Sequence, residues 1–319
     1  MQKLLPEWHN QKAVLMTWPH HHSDWEDDLA NIENNYFEIA KAIGKFQPVW
    51  ILCYDEAHQM RVKKRCAQHI PSENFRSFIV KTNDTWIRDY GPLSVRDDNE
   101  IRLLDFQFNA WGGKFSHDLD NLVNTSLFKD SHAINLTLEG GALETDGKNT
   151  LLTTASCIFD PKRNPTHNKQ DIFQQLRKHF GMENIVVLDN GHLEGDDTDG
   201  HIDTLARFCN EETLVYVQDD ELKTMENEIL EKLSQYNCVA LPSPPAIYVD
   251  DRRLPATYAN FLIINHAVIV PTYNAKTDLK ALETLQTCFP DREIIGVDCC
   301  ALIEQNGSLH CATMQLPGE

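Results

Sequence analysis

The sequence predicts an α/β fold in which a hairpin-plus-helix unit repeats and closes into a five-bladed, propeller-like ring. Three observations lead there: hairpin patterns that recur, helical stretches between them, and single strands near both ends that can pair. Four segments read strand–turn–strand: residues 90–106 with a turn at 96–100, residues 141–154 around 146–149, residues 201–218 around 210–212, and residues 258–273 around Asn265 and His266. Turn-forming residues between β-branched and apolar runs give a hairpin signal with a mechanism. The hairpins start roughly 50 to 60 residues apart, a period typical of repeat architectures.

Helical periodicity fills the gaps. In residues 24–43, Leu29, Ile32, Tyr36, Phe37, Ala40 and Ile43 fall on one face, and Ser23 or Asp24 can cap the helix. Residues 168–180, 220–236 and 276–288 complete the set. A fifth hairpin has no intact copy, but residues 310–315 and 13–18 each read as one strand. Their pairing would close the ring and remove exposed sheet edges. There is no low-complexity segment or Gly/Ser linker, and residues 242–245 with 250–253 read as parts of one exposed loop. The chain therefore reads as a single domain, 1–319.

Composition narrows the function. A chain of 319 residues can bury a large core, and 41% hydrophobic with 24% charged residues is ordinary for a globular protein. A formal net charge of −19 argues against nucleic acid, whose phosphates need a basic face. The same charge can draw in a cationic substrate, although acidity also serves solubility alone. The longest apolar stretch, 261–271, is interrupted by Asn265 and His266, so no membrane span is expected. Residues 1–9 have no apolar signal-like run. Nine irregularly spaced cysteines without a C-x-x-C pair read as reduced thiols in a cytoplasm. A homo-oligomer stays open.

The reactive side chains fall at one phase of the repeat. Asp89 precedes the first hairpin, Glu139 precedes the second, His201 and Asp203 begin the third, and Cys311 lies on the terminal strand. Singly, each reads as a turn or cap residue. If the strand starts converge on the ring axis, all five meet in one pocket. A thiol beside an imidazole is a nucleophile–base pair. The groups around it are acceptors, which would repel an oxyanion but hold a planar cation whose donors match carboxylates. The electron-poor carbon of a guanidinium is then a target, and its charge favours the thiolate.

Two metal readings compete. Asp196, Asp197 and Asp199 with His201 and Asp203 resemble a cation loop, but no Glu closes an EF-hand there. His20, His21 and His22 read more simply as a surface turn. A propeller that only binds cations is a third alternative. No cofactor and no metal are expected, and Cys53, Cys157 and Cys209 read as core residues.

Five motifs carry a resemblance. Residues 85–92 read T-W-I-R-D-Y-G-P; 138–141 read L-E-G-G, followed by Asp146 and Gly147; 195–203 read G-D-D-T-D-G-H-I-D, followed by A-R-F at 206–208; 254–260 read L-P-A-T-Y-A-N; and 307–313 read G-S-L-H-C-A-T. In this order, over nearly the whole chain, they resemble the agmatine deiminase family. Thr257 stands where the family has serine, and Asn306, Ala312 and Met314 also depart from its pattern. The resemblance implies the pentein-like, five-bladed guanidino-group-modifying fold, with Cys311 as nucleophile and His201 as acid/base. It further implies that Asp89 and Asp203 hold the guanidinium nitrogens, that Glu139 holds the guanidinium and orients His201, that Trp86 covers the bound group, and that Asp197 holds the far ammonium. The implied reaction converts agmatine and water to N-carbamoylputrescine and ammonia through a covalent S-alkylthiouronium. Free or peptidyl arginine is the alternative substrate, with Arg207 or Arg252 available for its carboxylate.

Overall fold

A computed structural model describes residues 2–98 and 100–318, so Asn99 in the first predicted turn lies outside the described residues. The chain is α/β. Among the described residues there are five mixed sheets of three or four strands and one two-stranded hairpin.

The mixed sheets repeat one plan. Two strands pair antiparallel, and the chain then returns through helical or turn structure to add a strand parallel to the second. Leu93–Asp97 and Glu100–Gln107 pair antiparallel, and His132–Thr137 joins parallel. Glu144–Thr145 and Thr150–Thr154 follow, with Asn184–Leu188. Ala206–Phe208 and Thr213–Gln218 take Asn237–Pro242, and Leu262–Ile264 and Ala267–Thr272 take Glu293–Asp298. The last sheet pairs Thr313–Pro317 antiparallel with Gln11–Thr17, with Thr313 opposite Met16, and adds Val49–Cys53 and Phe75–Ile79 in parallel. Pairing between the two ends of the chain is as the sequence predicts, and none of the sheets closes on itself.

The middle strands are continuous apolar or β-branched runs because both faces are covered. Every residue of Val49–Cys53 and Thr150–Thr154 is buried. Side chains fix the turns between them. The Asp146 carboxylate accepts from the amides of Lys148, Asn149 and Thr150 at 2.8–2.9 Å, while Gly147 takes φ +70°. The helix Lys169–Phe180 has a capping box between Asn168 and Asp171 and ends at left-handed Gly181.

Three expectations change. Neither Ser23 nor Asp24 caps the first long helix: a 3-10 turn, Glu26–Asp28, intervenes, the helix is Leu29–Gly44, and the Ser23 hydroxyl bonds the His20 carbonyl at 2.7 Å. The loop expected at 242–253 contains the two-stranded hairpin Ile247–Val249 and Arg252–Leu254. Cys311 lies in a tight turn just before the terminal strand, not on it.

This geometry positions the reactive residues. A short helical turn precedes the first strand of three hairpins: Ile87–Tyr90, Gly140–Ala142 and Ile202–Thr204. These turns bring Asp89, Glu139, His201 and Asp203 to one place. No helix among the described residues is long and apolar enough to cross a membrane.

Candidate active site

The five residues expected at one phase of the repeat do meet. His201 Nδ1 lies 3.6 Å from Asp89 Oδ1, and its Nε2 lies 3.6 Å from Glu139 Oε2. Cys311 Sγ is 3.9 Å from Asp203 Oδ2. All five side chains are buried. The space between them exists because residue 141 is glycine, whose amide donates to Asp89 Oδ1 at 2.9 Å.

Cys311 is held by its surroundings on three sides. Asn260 Oδ1 accepts from the His310 and Cys311 amides at 2.9 and 3.2 Å and lies 3.4 Å from Sγ. The Cys311 carbonyl accepts from the Arg88 amide at 3.1 Å. Behind the thiol, His310 spans Asp203 Oδ2 at 2.7 Å and Glu7 Oε2 at 2.6 Å. Arg207, fully buried, pairs with both Glu7 and Glu144. Asn260 was legible only as a motif letter. It precedes the fourth hairpin at the same phase as the other residues, and that position was the signal available for it.

Electrostatics set the resting charges. Burial disfavours an ionised Cys311, and the Asp203 and Asp89 carboxylates add to this, so the thiol stands well above its ordinary pKa. Burial also opposes a charged His201, but Asp89 and Cys157 outweigh it and raise the imidazole well above its ordinary value. Burial works against the Glu139 carboxylate, yet His201 and Arg163 hold it below the usual range. Asp203 is likewise held low by His310 despite its burial. Burial raises Asp89 to about 6. These shifts favour a neutral thiol and an imidazolium among carboxylates, and a bound cation would favour the thiolate.

Cys157, expected as a plain core residue, is buried but touches this group, with Sγ 3.6 Å from Glu139 Oε2. Arg163 Nε donates to both Glu139 oxygens at 2.8 and 2.9 Å. Glu139, Cys157 and His201 offer ligand atoms within 4.8 Å of one another, but a cation there would face the Arg163 guanidinium. The aspartate loop is already engaged: Asp196 accepts from the Thr198 and Gly200 amides, and Asp199 pairs with Arg163 and Lys114. His20 contacts Thr82 through Nε2 and the His22 amide through Nδ1.

Above Cys311 opens a cleft of about 530 Å³. Its walls include Trp25, Trp86, Trp111 and Phe115, with Asp24, Asp84, Asp89, Asp196 and Asp197; among the described residues no Lys or Arg lines it, and His201 lies against Asp89. Asp197 accepts from Asn306 Nδ2 at 3.1 Å, and burial raises its pKa. Neither Arg207 nor Arg252 is part of this lining: Arg207 is paired with Glu7 and Glu144, and Arg252 stands directly behind the lining residue Asn306. Arg252 spends its guanidinium on Asn306 Oδ1 and the Glu304 carbonyl.

Gly307 sets the depth of the Trp86 wall. A Cβ at 307 would stand 2.6 Å from the indole carbons Cη2 and Cζ3. Gly307→Ala is therefore expected to push the ring into the cleft and lower kcat/KM by roughly tenfold or more, mainly through KM. Steady-state kinetics check this, and an unchanged KM would remove Trp86 from the binding wall.

The fold is α/β, and the site gathers a thiol, an imidazole and three carboxylates in one buried place. The sequence pattern of the Porphyromonas-type peptidyl-arginine deiminases matches residues 3–317. A Lactococcus lactis protein with the provisional name agmatine deiminase is 32% identical, over 98% of this chain and 94% of its own. Among solved structures, a cysteine-to-serine variant of C. jejuni agmatine deiminase with substrate bound superposes with TM-score 0.94 at 37% identity, covering 100% of this chain and 97% of that one. A Porphyromonas gingivalis structure, provisionally given as an arginine deiminase, superposes with TM-score 0.92 at 43% identity, covering 99% and 98%. The chain belongs to the Porphyromonas-type peptidyl-arginine deiminase family.

Proposed function

We propose that the protein hydrolyses agmatine to N-carbamoylputrescine and ammonia, using Cys311 as nucleophile. The charge pattern of the cleft carries this reading. Carboxylates line it and, among the described residues, no Lys or Arg does, the nearby Lys114 being paired with Asp199, so a guanidinium with a distal ammonium fits, whereas the α-carboxylate of free arginine would meet like charge. The names of the L. lactis and C. jejuni relatives agree. The family description and the P. gingivalis structure favour an arginine-type substrate, so that reading is kept for the test.

In the proposed reaction Asp89 and Asp203 clamp the guanidinium. The buried Asp203 Oδ1, which has no hydrogen-bond partner among the described residues, is an acceptor suited to such a donor. Glu139 supports the guanidinium and His201, Trp86 covers the bound group, and Asp197 takes the far ammonium. The bound cation favours loss of the Cys311 thiol proton to solvent, and the resulting thiolate attacks the central carbon. The C–N bond to the leaving nitrogen breaks as His201 gives it a proton, and ammonia departs. A water then loses its proton to His201 and attacks the thiouronium carbon. The C–S bond breaks as the hydroxyl proton passes to solvent, where the released ammonia takes it up, leaving the neutral ureido product and the thiolate. No metal or cofactor takes part.

The five mixed sheets read as blades of one ring, closed by pairing of Gln11–Thr17 with Thr313–Pro317, and residues 1–319 as one catalytic domain. Cysteine usage supports a cytoplasmic location. The test is ammonia release from agmatine, arginine and an arginyl peptide, assayed separately with EDTA present. Release from agmatine alone is expected. Release from arginine or the peptide alone would keep the mechanism and overturn the substrate, and loss of activity in EDTA would overturn the metal-free chemistry. No release from any of them would favour a propeller that only binds cations.

A further inference from the structure

Trp111 lies in the most contorted stretch of backbone in the cleft wall. Ala110, Trp111, Gly112 and Gly113 have φ of 51°, 54°, 89° and 83°, four consecutive left-handed residues of which two carry a Cβ. Such a run is unfavourable for L-residues and persists only where neighbours impose it. Here they do. Asn109 Oδ1 accepts from the Gly112 amide at 2.9 Å, and Asn109 Nδ2 donates to the Lys162 carbonyl at 3.0 Å. A side chain at 112 would crowd Asp160 Oδ2 and Lys162, both 3.2 Å from its Cβ.

The contortion aims one group. Trp111 Nε1 donates to Asp89 Oδ2 at 3.0 Å, while Phe108 packs edge-on against the indole at 5.1 Å between centroids. The other Asp89 oxygen accepts from the Gly141 amide. Each carboxylate oxygen has two acceptor sites, so one on each stays free. Two fixed donors, one per oxygen, set both the plane and the rotation of the carboxylate. Resting on the reading of Asp89 as a guanidinium clamp, we infer that Trp111 is a positioning residue, whose indole N–H locks Asp89 in the orientation that receives the substrate.

Two further facts support this. Trp111 is buried at 4% exposure although it lines an open cleft, so its N–H has no bulk water to turn to. Asp89 also faces His201, Asp203 and Glu139, and two of these three are carboxylates that disfavour its ionised form. A fixed donor on Oδ2 therefore stabilises the form that binds a cation.

Trp111→Phe keeps the ring and removes only the donor. It is expected to lower kcat/KM roughly 10- to 100-fold, the range for losing one hydrogen bond to a charged group. Losing a donor to the carboxylate raises its pKa, so the acid limb of the kcat/KM profile should move up by about one pH unit. Lost packing alone would lower activity without moving that limb. Asn109→Ala, which loosens the turn but keeps the indole, should give a weaker version of both effects, and Asn109→Asp, which keeps the acceptor for Gly112, should restore them in part. A readout independent of activity is the Trp111 indole proton in ¹⁵N NMR of the whole protein. Its shift should follow Asp89 through pH near 6 and stop moving in Asp89→Asn. A parent inactive on every guanidine but showing this titration would overturn the proposed function and leave the contact standing. An indole shift flat across pH, or Trp111→Phe within about threefold of the parent with an unmoved acid limb, would overturn the inference.

Discussion

Cys311→Ala is expected to stop ammonia release, by at least about four orders of magnitude, while leaving agmatine binding within a few-fold of the parent. The two halves of this result have different sources. Turnover needs an atom that can form and break a bond to carbon, and alanine supplies none. Binding rests on carboxylates that the substitution leaves in place: Asp89 is held by the Gly141 amide and Asp203 by His310. Single-turnover assays and calorimetry with agmatine measure the two halves. Turnover within about a hundredfold of the parent would sink the assignment of Cys311 as nucleophile.

Gly141→Ala separates the same two properties in the opposite way. Residue 141 does not have a left-handed φ, so alanine fits the backbone. The space does not allow it. Its Cβ would stand 2.6 Å from His201 Nδ1, 2.9 Å from Asp89 Oδ1 and 3.1 Å from Asp203 Oδ2. One methyl group would occupy the gap where three of the five reactive side chains face each other. The expected result is loss of both agmatine binding and turnover, with kcat/KM down by roughly a hundredfold or more. Overpacking should cost only about 1–3 kcal/mol of stability, so thermal melting should still show a folded protein. A Gly141→Ala enzyme with parental kinetics would mean that the guanidinium binds elsewhere.

Much of the site was legible because it repeats. Asp89, Glu139, His201 and Asp203 sit at equivalent points before successive hairpins, and the hairpins have clear turn chemistry, such as Asp146 accepting from three amides. The third strand of each unit was not legible. His132–Thr137, Asn184–Leu188 and Glu293–Asp298 are edge strands with several exposed or half-buried residues; their apolar runs are interrupted or, as at residues 185–188, too short to be told from a buried helix segment by pattern alone. The helix Glu56–Cys66 escaped for a similar reason: only His58, Val62 and Cys66 are buried, and the rest is mostly charged or polar. Trp111, Cys157 and Arg163 join the site from segments that carry no repeat signal. What brings them there is a left-handed turn and a buried ion pair, neither of which has a sequence period.

The pairing of Thr313–Pro317 with Gln11–Thr17 also governs when the enzyme becomes an enzyme. During synthesis the strand Gln11–Thr17 must wait for about three hundred further residues before its antiparallel partner exists, with one edge open throughout. Cys311 is made about three hundred residues after Glu7, which fastens the histidine beside that cysteine. The other mixed sheets can therefore pair before this one is completed. Joining the two ends and opening the chain between residues 250 and 251 would make these strands near neighbours in sequence. The last sheet would then form early, and the rearranged protein should fold faster than the natural order allows.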